Sequence, residues 1–239
     1  MSISLLRDDR DLALGRLQFG FFEDFNQFVS GDLFTDTSAD SGASVANVDA
    51  AGGTVTLTTG GTDNNECYLL TTKELFLFAE NKPIIFETRL KFTEANTDDA
   101  NVCCGLMNAV GADSIVDDGA GPKSSYSGAV FFKVDGGTRW YCESSLSTTQ
   151  TTTELTAANS LDKTAKTSGG GTYQTLRIEA RPVSSTEAEV SFFIDGVHVC
   201  KQSLTYTSAT EMMAFVGVKA GGANSEVVTV DYISAYQSR

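Results

Sequence analysis

Residues 173–201, YQTLRIEARPVSSTEAEVSFFIDGVHVCK, limit the fold more than any other stretch of the chain. Leu176, Ile178 and Ala180 alternate with Arg177, Glu179 and Arg181, so an extended segment here has one apolar and one charged face. A period of two marks a half-buried strand rather than a helix. Pro182 stops the run because it has no N–H to give a ladder, and Ser184, Ser185 and Thr186 are turn formers. Val190 to Ile194 begins a second run. It ends at Asp195-Gly196, a dipeptide whose tolerance of positive φ suits a two-residue hairpin. Val197 and Val199 then restart the alternation with His198 and Cys200. Three strands joined by tight turns make an antiparallel meander.

Other segments follow the same pattern. Ile84, Phe86, Leu90 and Phe92 alternate with Ile85, Glu87, Arg89 and Lys91, which predicts a long strand with one charged face. The run VCCGLMN, residues 102–108, is nearly continuous in apolar residues and predicts a strand covered on both sides. Val55 and Leu57 share the face of a strand framed by glycine pairs. AVFFKVDGGTRWYCES predicts a hairpin turning at Asp135-Gly136-Gly137, with Trp140 and Tyr141 on its return strand. MMAFVGVKAG and VVTVDYISAY form a closing pair. Residues 30–53 and 146–172 are rich in Gly, Ser, Thr and Ala and read as loop; each holds at most one short strand, the second around Thr152 to Leu155. About ten to thirteen strands exceed what one flat sheet carries, so the expected architecture is all-β: two antiparallel sheets packed as a jelly-roll β-sandwich. With 239 residues, 41% of them hydrophobic, one domain suffices.

The N-terminus differs. Leu5, Leu6, Leu12, Leu14 and Leu17 lie among Arg7, Asp8, Asp9, Arg10, Asp11 and Arg16, without sustained alternation. Phe19, Phe21, Phe22, Phe25 and Phe28 then crowd into FGFFEDFNQF. An aromatic cluster of this density must be covered. Either it closes one end of the sandwich core, or it belongs to an arm that docks on a neighbouring subunit or partner. The expected organisation is therefore an arm over residues 1–30 and a sandwich over residues 31–239. The arm's interface candidates are Arg7, Arg10, Leu12, Leu14, Arg16, Leu17, Phe19, Phe21, Phe22 and Phe25.

Seventeen Lys and Arg against 31 Asp and Glu give a net charge of −14, which repels a phosphate backbone and argues against nucleic-acid binding. No apolar run reaches transmembrane length, and the leader turns acidic before an apolar core develops, so neither a membrane nor a Sec route is expected. Five scattered cysteines, Cys67, Cys103, Cys104, Cys142 and Cys200, make a poor disulfide framework. They read as buried free thiols of a chain made in a reducing cytoplasm.

In mid-chain FETRLKF, then TYQTLRIEARP leading to VSFFIDGVHV, and finally VGVKAG and VTVDYISAY, the order of segments resembles the concanavalin A-like lectin/glucanase superfamily in its laminin-G and phage-virion variants. The resemblance covers residues 50–236. It implies the sandwich, and it admits lectins, glycosidases, adhesion modules and virion proteins.

Chemistry narrows this set. A retaining glycosidase needs two carboxylates about 5 Å apart, and no Glu-x-Asp-x-x-Glu pattern occurs. Glu179 lies between two arginines, and Glu87 has Arg89 on its own face. His198 is the sole histidine and has no suitable triad partner. The acidic loops with Asp98-Asp99, Asp113 and Asp117-Asp118 lack EF-hand spacing, so no metal or other cofactor is expected. For a glycan, Trp140, Tyr126 and Tyr206 are the candidate contacts. With no catalytic constellation and an aromatic arm added to the sandwich, the resemblance to the phage-virion variants implies a non-enzymatic function: a virion structural protein, made in the host cytoplasm, that decorates and cements the capsid of a tailed bacteriophage. Its partners would be the major capsid protein and further copies of itself, in a trimer. The alternative is a module on a tail or fibre that binds a cell-surface glycan.

Overall fold

The computed structural model describes residues 18–37, 40–94, 96, 99–207 and 210–239. The chain opens with β1 (Gln18–Glu23), β2 (Phe34–Thr37), β3 (Ser44–Val48), β4 (Thr54–Thr58) and β5 (Glu66–Thr71). The two-residue β6 (Phe76–Leu77) precedes the long strands β7 (Ile84–Thr93) and β8 (Ala100–Met107). Next come β9 (Gly128–Lys133), β10 (Tyr141–Leu146) and β11 (Thr149–Glu154). The meander is β12 (Gln174–Pro182), β13 (Glu187–Ile194) and β14 (Val197–Thr205), and the chain closes with β15 (Glu211–Ala220) and β16 (Val227–Ser238).

These strands form two eight-stranded antiparallel sheets, the jelly-roll sandwich expected from the sequence. The terminal sheet runs β14-β13-β12-β7-β16-β4-β3, with β1 also paired to β16. The opposing sheet runs β11-β10-β9-β8-β15-β5-β2, with β6 beside β15. Apolar faces meet between them: Phe86, Leu176, Ile178 and Phe192 from one side, Val102, Cys104, Phe131 and Val216 from the other, all fully buried. Each such large side chain contributes roughly 2 kcal/mol by leaving water.

The meander turns where expected, with Asp195 at φ 50° and Gly196 at φ 77°. Its last strand departs from strict alternation. Phe192 pairs with Cys200 and Phe193 with His198, so Val199 is an extra, bulged residue. Both Val199 and Cys200 consequently point inward, and both are buried. A second bulge lies in β16, where Val230 faces Leu90 and Tyr232 faces Arg89, skipping Asp231.

The boundary at residue 30 does not separate an arm from the sandwich over the described residues. β4 pairs only with Val227–Val230 of β16, which leaves the backbone edge of residues 233–238 open, and β1 fills it from Gln18↔Ser238 to Glu23↔Ile233. Phe19 stacks on Phe76 at 5.7 Å, Phe21 meets Phe34 edge-on at 5.3 Å, and Phe25 is 1% exposed. Intrachain cover is thus the outcome for Phe19, Phe21 and Phe25. Arg7, Arg10, Leu12, Leu14, Arg16 and Leu17 lie outside the described residues. The polar segments also hold more structure than expected: β2 and β3 are edge strands, and β11 starts at Thr149.

Candidate interaction face

The outer faces of the two sheets differ in kind. That of the opposing sheet is closed by its own chain. Tyr68, Leu70, Cys103, Met107, Val130, Phe132 and Phe215 form a second small core beneath residues 108–127, which contribute Ile115 and Tyr126. Cys103 belongs to this core and Cys104 to the main one, on opposite sides of β8. The Tyr126 hydroxyl donates to Glu143 at 2.9 Å, and Gln150 and Thr152 also donate to that carboxylate. Burial holds the Glu143 carboxyl above its ordinary range, although the bonds from Thr152 and Tyr126 pull it down.

This packing removes the residues expected to contact a glycan. Trp140 is fully buried, donates Nε1–H to Gln174 at 2.9 Å and meets Phe92 and Phe131 edge-on. Tyr126 is part of the closed outer core. Tyr206 is 2% exposed and its hydroxyl donates to the Ser184 carbonyl at 2.6 Å. Each is a large ring whose best use in a sandwich is to fill volume between layers, and none offers a free face.

Among the described residues the terminal sheet keeps an open outer face, and the bulge in β16 organises it. The extra residue puts Asp231 and Tyr232 side by side on the outside, where strict alternation would hide one of them. Asp231 accepts from Arg89 Nη1 at 2.6 Å. The Tyr232 hydroxyl donates to Glu87 at 2.7 Å; burial first, and then this bond, push the phenol up to about 12. The Arg89 guanidinium lies 4.2 Å from the centre of the Tyr173 ring and the Lys91 ammonium 4.7 Å from it. Phe22 of β1 stacks on Tyr232 at 5.1 Å and is 53% exposed, the most open of the large apolar side chains among the described residues. Around it, Arg89 pairs with Asp231, and Arg177 with Glu87 and Glu179. The face therefore presents an aromatic centre inside a rim of satisfied ion pairs.

Carboxylate geometry does not reproduce a glycosidase pair. Glu87 and Glu179 lie on neighbouring strands of the open face, but Arg177 stands between them, 3.7 Å from one and 2.5 Å from the other. It fills the space a glycosidic oxygen would need. Glu66 and Glu143 both lie on the closed face, but β5 and β10 are separated by three strands, about 19 Å at ordinary strand spacing. Working pairs stand about 5 to 9.5 Å apart. His198 is half-buried and stacks on Phe193 at 4.7 Å. No group of three or more His, Cys, Asp or Glu side chains suited to a metal occurs among the described residues; Asp98 lies outside them.

No family model and no curated protein matches the chain. Solved structures do. A protein of unknown function from Shewanella oneidensis MR-1 is 12% identical with a TM-score of 0.61, covering 100% of this chain and 97% of its own. An endo-β-1,4-glucuronan lyase from the fungus Trichoderma reesei is 9% identical with a TM-score of 0.61, covering 90% and 94%. The carbohydrate recognition domain of Emp46p, in a metal-free form, is 10% identical with a TM-score of 0.58, covering 89% and 94%. These likenesses show a shared fold, the sandwich of the concanavalin A-like lectin/glucanase type, and nothing finer.

Proposed function

We propose that the protein is a non-enzymatic virion structural protein, a capsid decoration protein of a tailed bacteriophage, and that it grips the capsid through the outer face of the terminal sheet. The observation that carries the proposal is the half-exposed Phe22 stacked on Tyr232 beside Arg89 and Tyr173. Binding energy concentrates on aromatic and arginine side chains at the centre of an interface, with polar groups around them excluding water. Two features support a binding role over catalysis: Arg177 between Glu87 and Glu179, and the chain-covered face of the opposing sheet. A net charge of −14 keeps a protein soluble at the copy number a shell requires. A trimer about a three-fold position is the assembly this proposal adopts, since repeated sites multiply weak contacts. Quantitative mass spectrometry of purified virions tests it: the protein should stand in a fixed ratio to the major capsid protein, and its absence from virions would remove the reading.

A second reading, a cell-surface glycan as ligand, is favoured by one feature. The open Phe22 ring lies near carboxylate acceptors, Glu87 and Asp231, that suit sugar hydroxyls. Binding to a glycan array, lost in Phe22→Ser, would support it over the capsid reading.

A further inference from the structure

Cys142 and Cys200 come from different sheets and meet inside the sandwich. Cys142 lies on β10 of the opposing sheet, paired directly with Thr153 of β11. Cys200 lies on β14, the edge strand of the terminal sheet. Regular alternation after Val197 would turn Cys200 away from Val199 and out of the core; the bulge at Val199 turns it in. The Leu161 N–H, donating to the Val199 carbonyl at 2.9 Å, takes up a group the bulge removes from the ladder. Two residues further along the same face, the Gln202 amide donates to the Cys142 carbonyl at 3.2 Å and to the Thr153 hydroxyl at 3.1 Å. Cys142 and Cys200 both lie in the main core, and the two Gln202 bonds seat β14 against β10 and β11 beside them. Both cysteines are free and buried.

We propose that Cys142 and Cys200 are a latent inter-sheet disulfide, closed by a peroxide after the protein has folded with both thiols reduced. The bond would tie the edge strand of one sheet to the strand next to the edge of the other. Hydrogen bonds led by the one from Cys142 lower the Cys200 thiol to about 7, whereas burial raises Cys142 well above its ordinary value, so Cys200 is the attacking sulfur. Its thiolate attacks one peroxide oxygen; an S–O bond forms, the O–O bond breaks, and the departing hydroxide takes a proton to become water. Cys142 then gives up its proton and attacks the Cys200 sulfenic sulfur; the S–S bond forms, the S–O bond breaks and a second water leaves. Two thiols lose two electrons and one peroxide gains them. Timing follows from the capsid proposal: a shell protein folds in a reducing cytoplasm and works outside it. The chemistry does not depend on that reading.

The test treats the full-length reduced protein with hydrogen peroxide, then alkylates under denaturing conditions and maps peptides by mass spectrometry. The expected result is one cross-linked peptide pair holding Cys142 and Cys200, with Cys67, Cys103 and Cys104 alkylated. Closing the long loop from 142 to 200 should raise Tm by roughly 10 °C, reversed by reductant. Cys142→Ser and Cys200→Ser should each abolish the cross-link and the Tm rise, and Cys67→Ser should keep both. If a serine variant does not fold, the wild-type peptide map decides alone. A bridge from Cys142 to Cys104, a bridge between two chains, a Cys200 sulfinic acid without a bridge, or five alkylatable thiols after treatment would each overturn the proposal. Failure of virion association would leave this result untouched.

Discussion

Lys219 is 1% exposed at the end of β15, with Nζ 3.3 Å from Glu66, 3.1 Å from Asp113 and 2.5 Å from Asp117. It also donates to the Ile115 carbonyl at 2.9 Å, which pins residues 108–127 over the second core. Burial by itself drives its ammonium down, and Asp117, Glu66 and Asp113 more than reverse this. Lys219→Met leaves the buried Glu66 carboxylate without its cation and should destabilise the fold by about 3 kcal/mol, read as a lower denaturant midpoint. Glu143 gives a pH signature. A carboxyl raised by burial favours the folded state fully below the ordinary value of 4.5, and that contribution fades as pH rises through the folded value. Glu143→Gln removes the dependence. Its Tm relative to wild type should therefore improve as pH rises above 4.5, and a difference constant with pH would contradict the assignment.

Elements show where sequence is and is not readable. β1 completes β16, so removing residues 1–17 should leave a folded sandwich. Removing residues 1–28 also takes away Phe19, Phe21 and Phe25, and should destabilise by on the order of 5 kcal/mol or more, seen as loss of a cooperative melt. Gly20→Val should weaken β1 alone, because a Cβ at this position, at φ 154°, would lie 2.1 Å from the Ala235 carbonyl oxygen. The meander and β7 were legible because each has one wet face, which writes a period of two into the sequence. β1 was not: Phe21 and Phe22 are adjacent, and an open length of β16 rather than any pattern decides that they pair. The bulges at Val199 and Asp231 left no compositional mark, yet they place Cys200 inside and Tyr232 outside. The candidate site was therefore only partly legible. Phe22 stood among the expected contacts. Tyr232, Arg89 and Tyr173 did not, because their grouping depends on the β16 bulge and on the register of β16 against β7. Trp140, Tyr126 and Tyr206 were legible as aromatic, but exposure is a property of the layers above them.

At the scale of the whole molecule, the sandwich is asymmetric. One outer face is closed by residues 108–127, and the other carries an aromatic centre within paired charges. That asymmetry gives the protein a front, and the proposed role depends on it. Co-sedimentation with capsids lacking this protein tests the claim directly, comparing wild type with Phe22→Ser. Phe22 is 53% exposed, so the variant's Tm should stay within about 2 °C of wild type. Wild type should saturate the capsids at a fixed ratio, and the variant should bind roughly tenfold or more weakly, as loss of an aromatic hot spot does. Binding by Phe22→Ser equal to wild type, or no binding by wild type, would contradict the account.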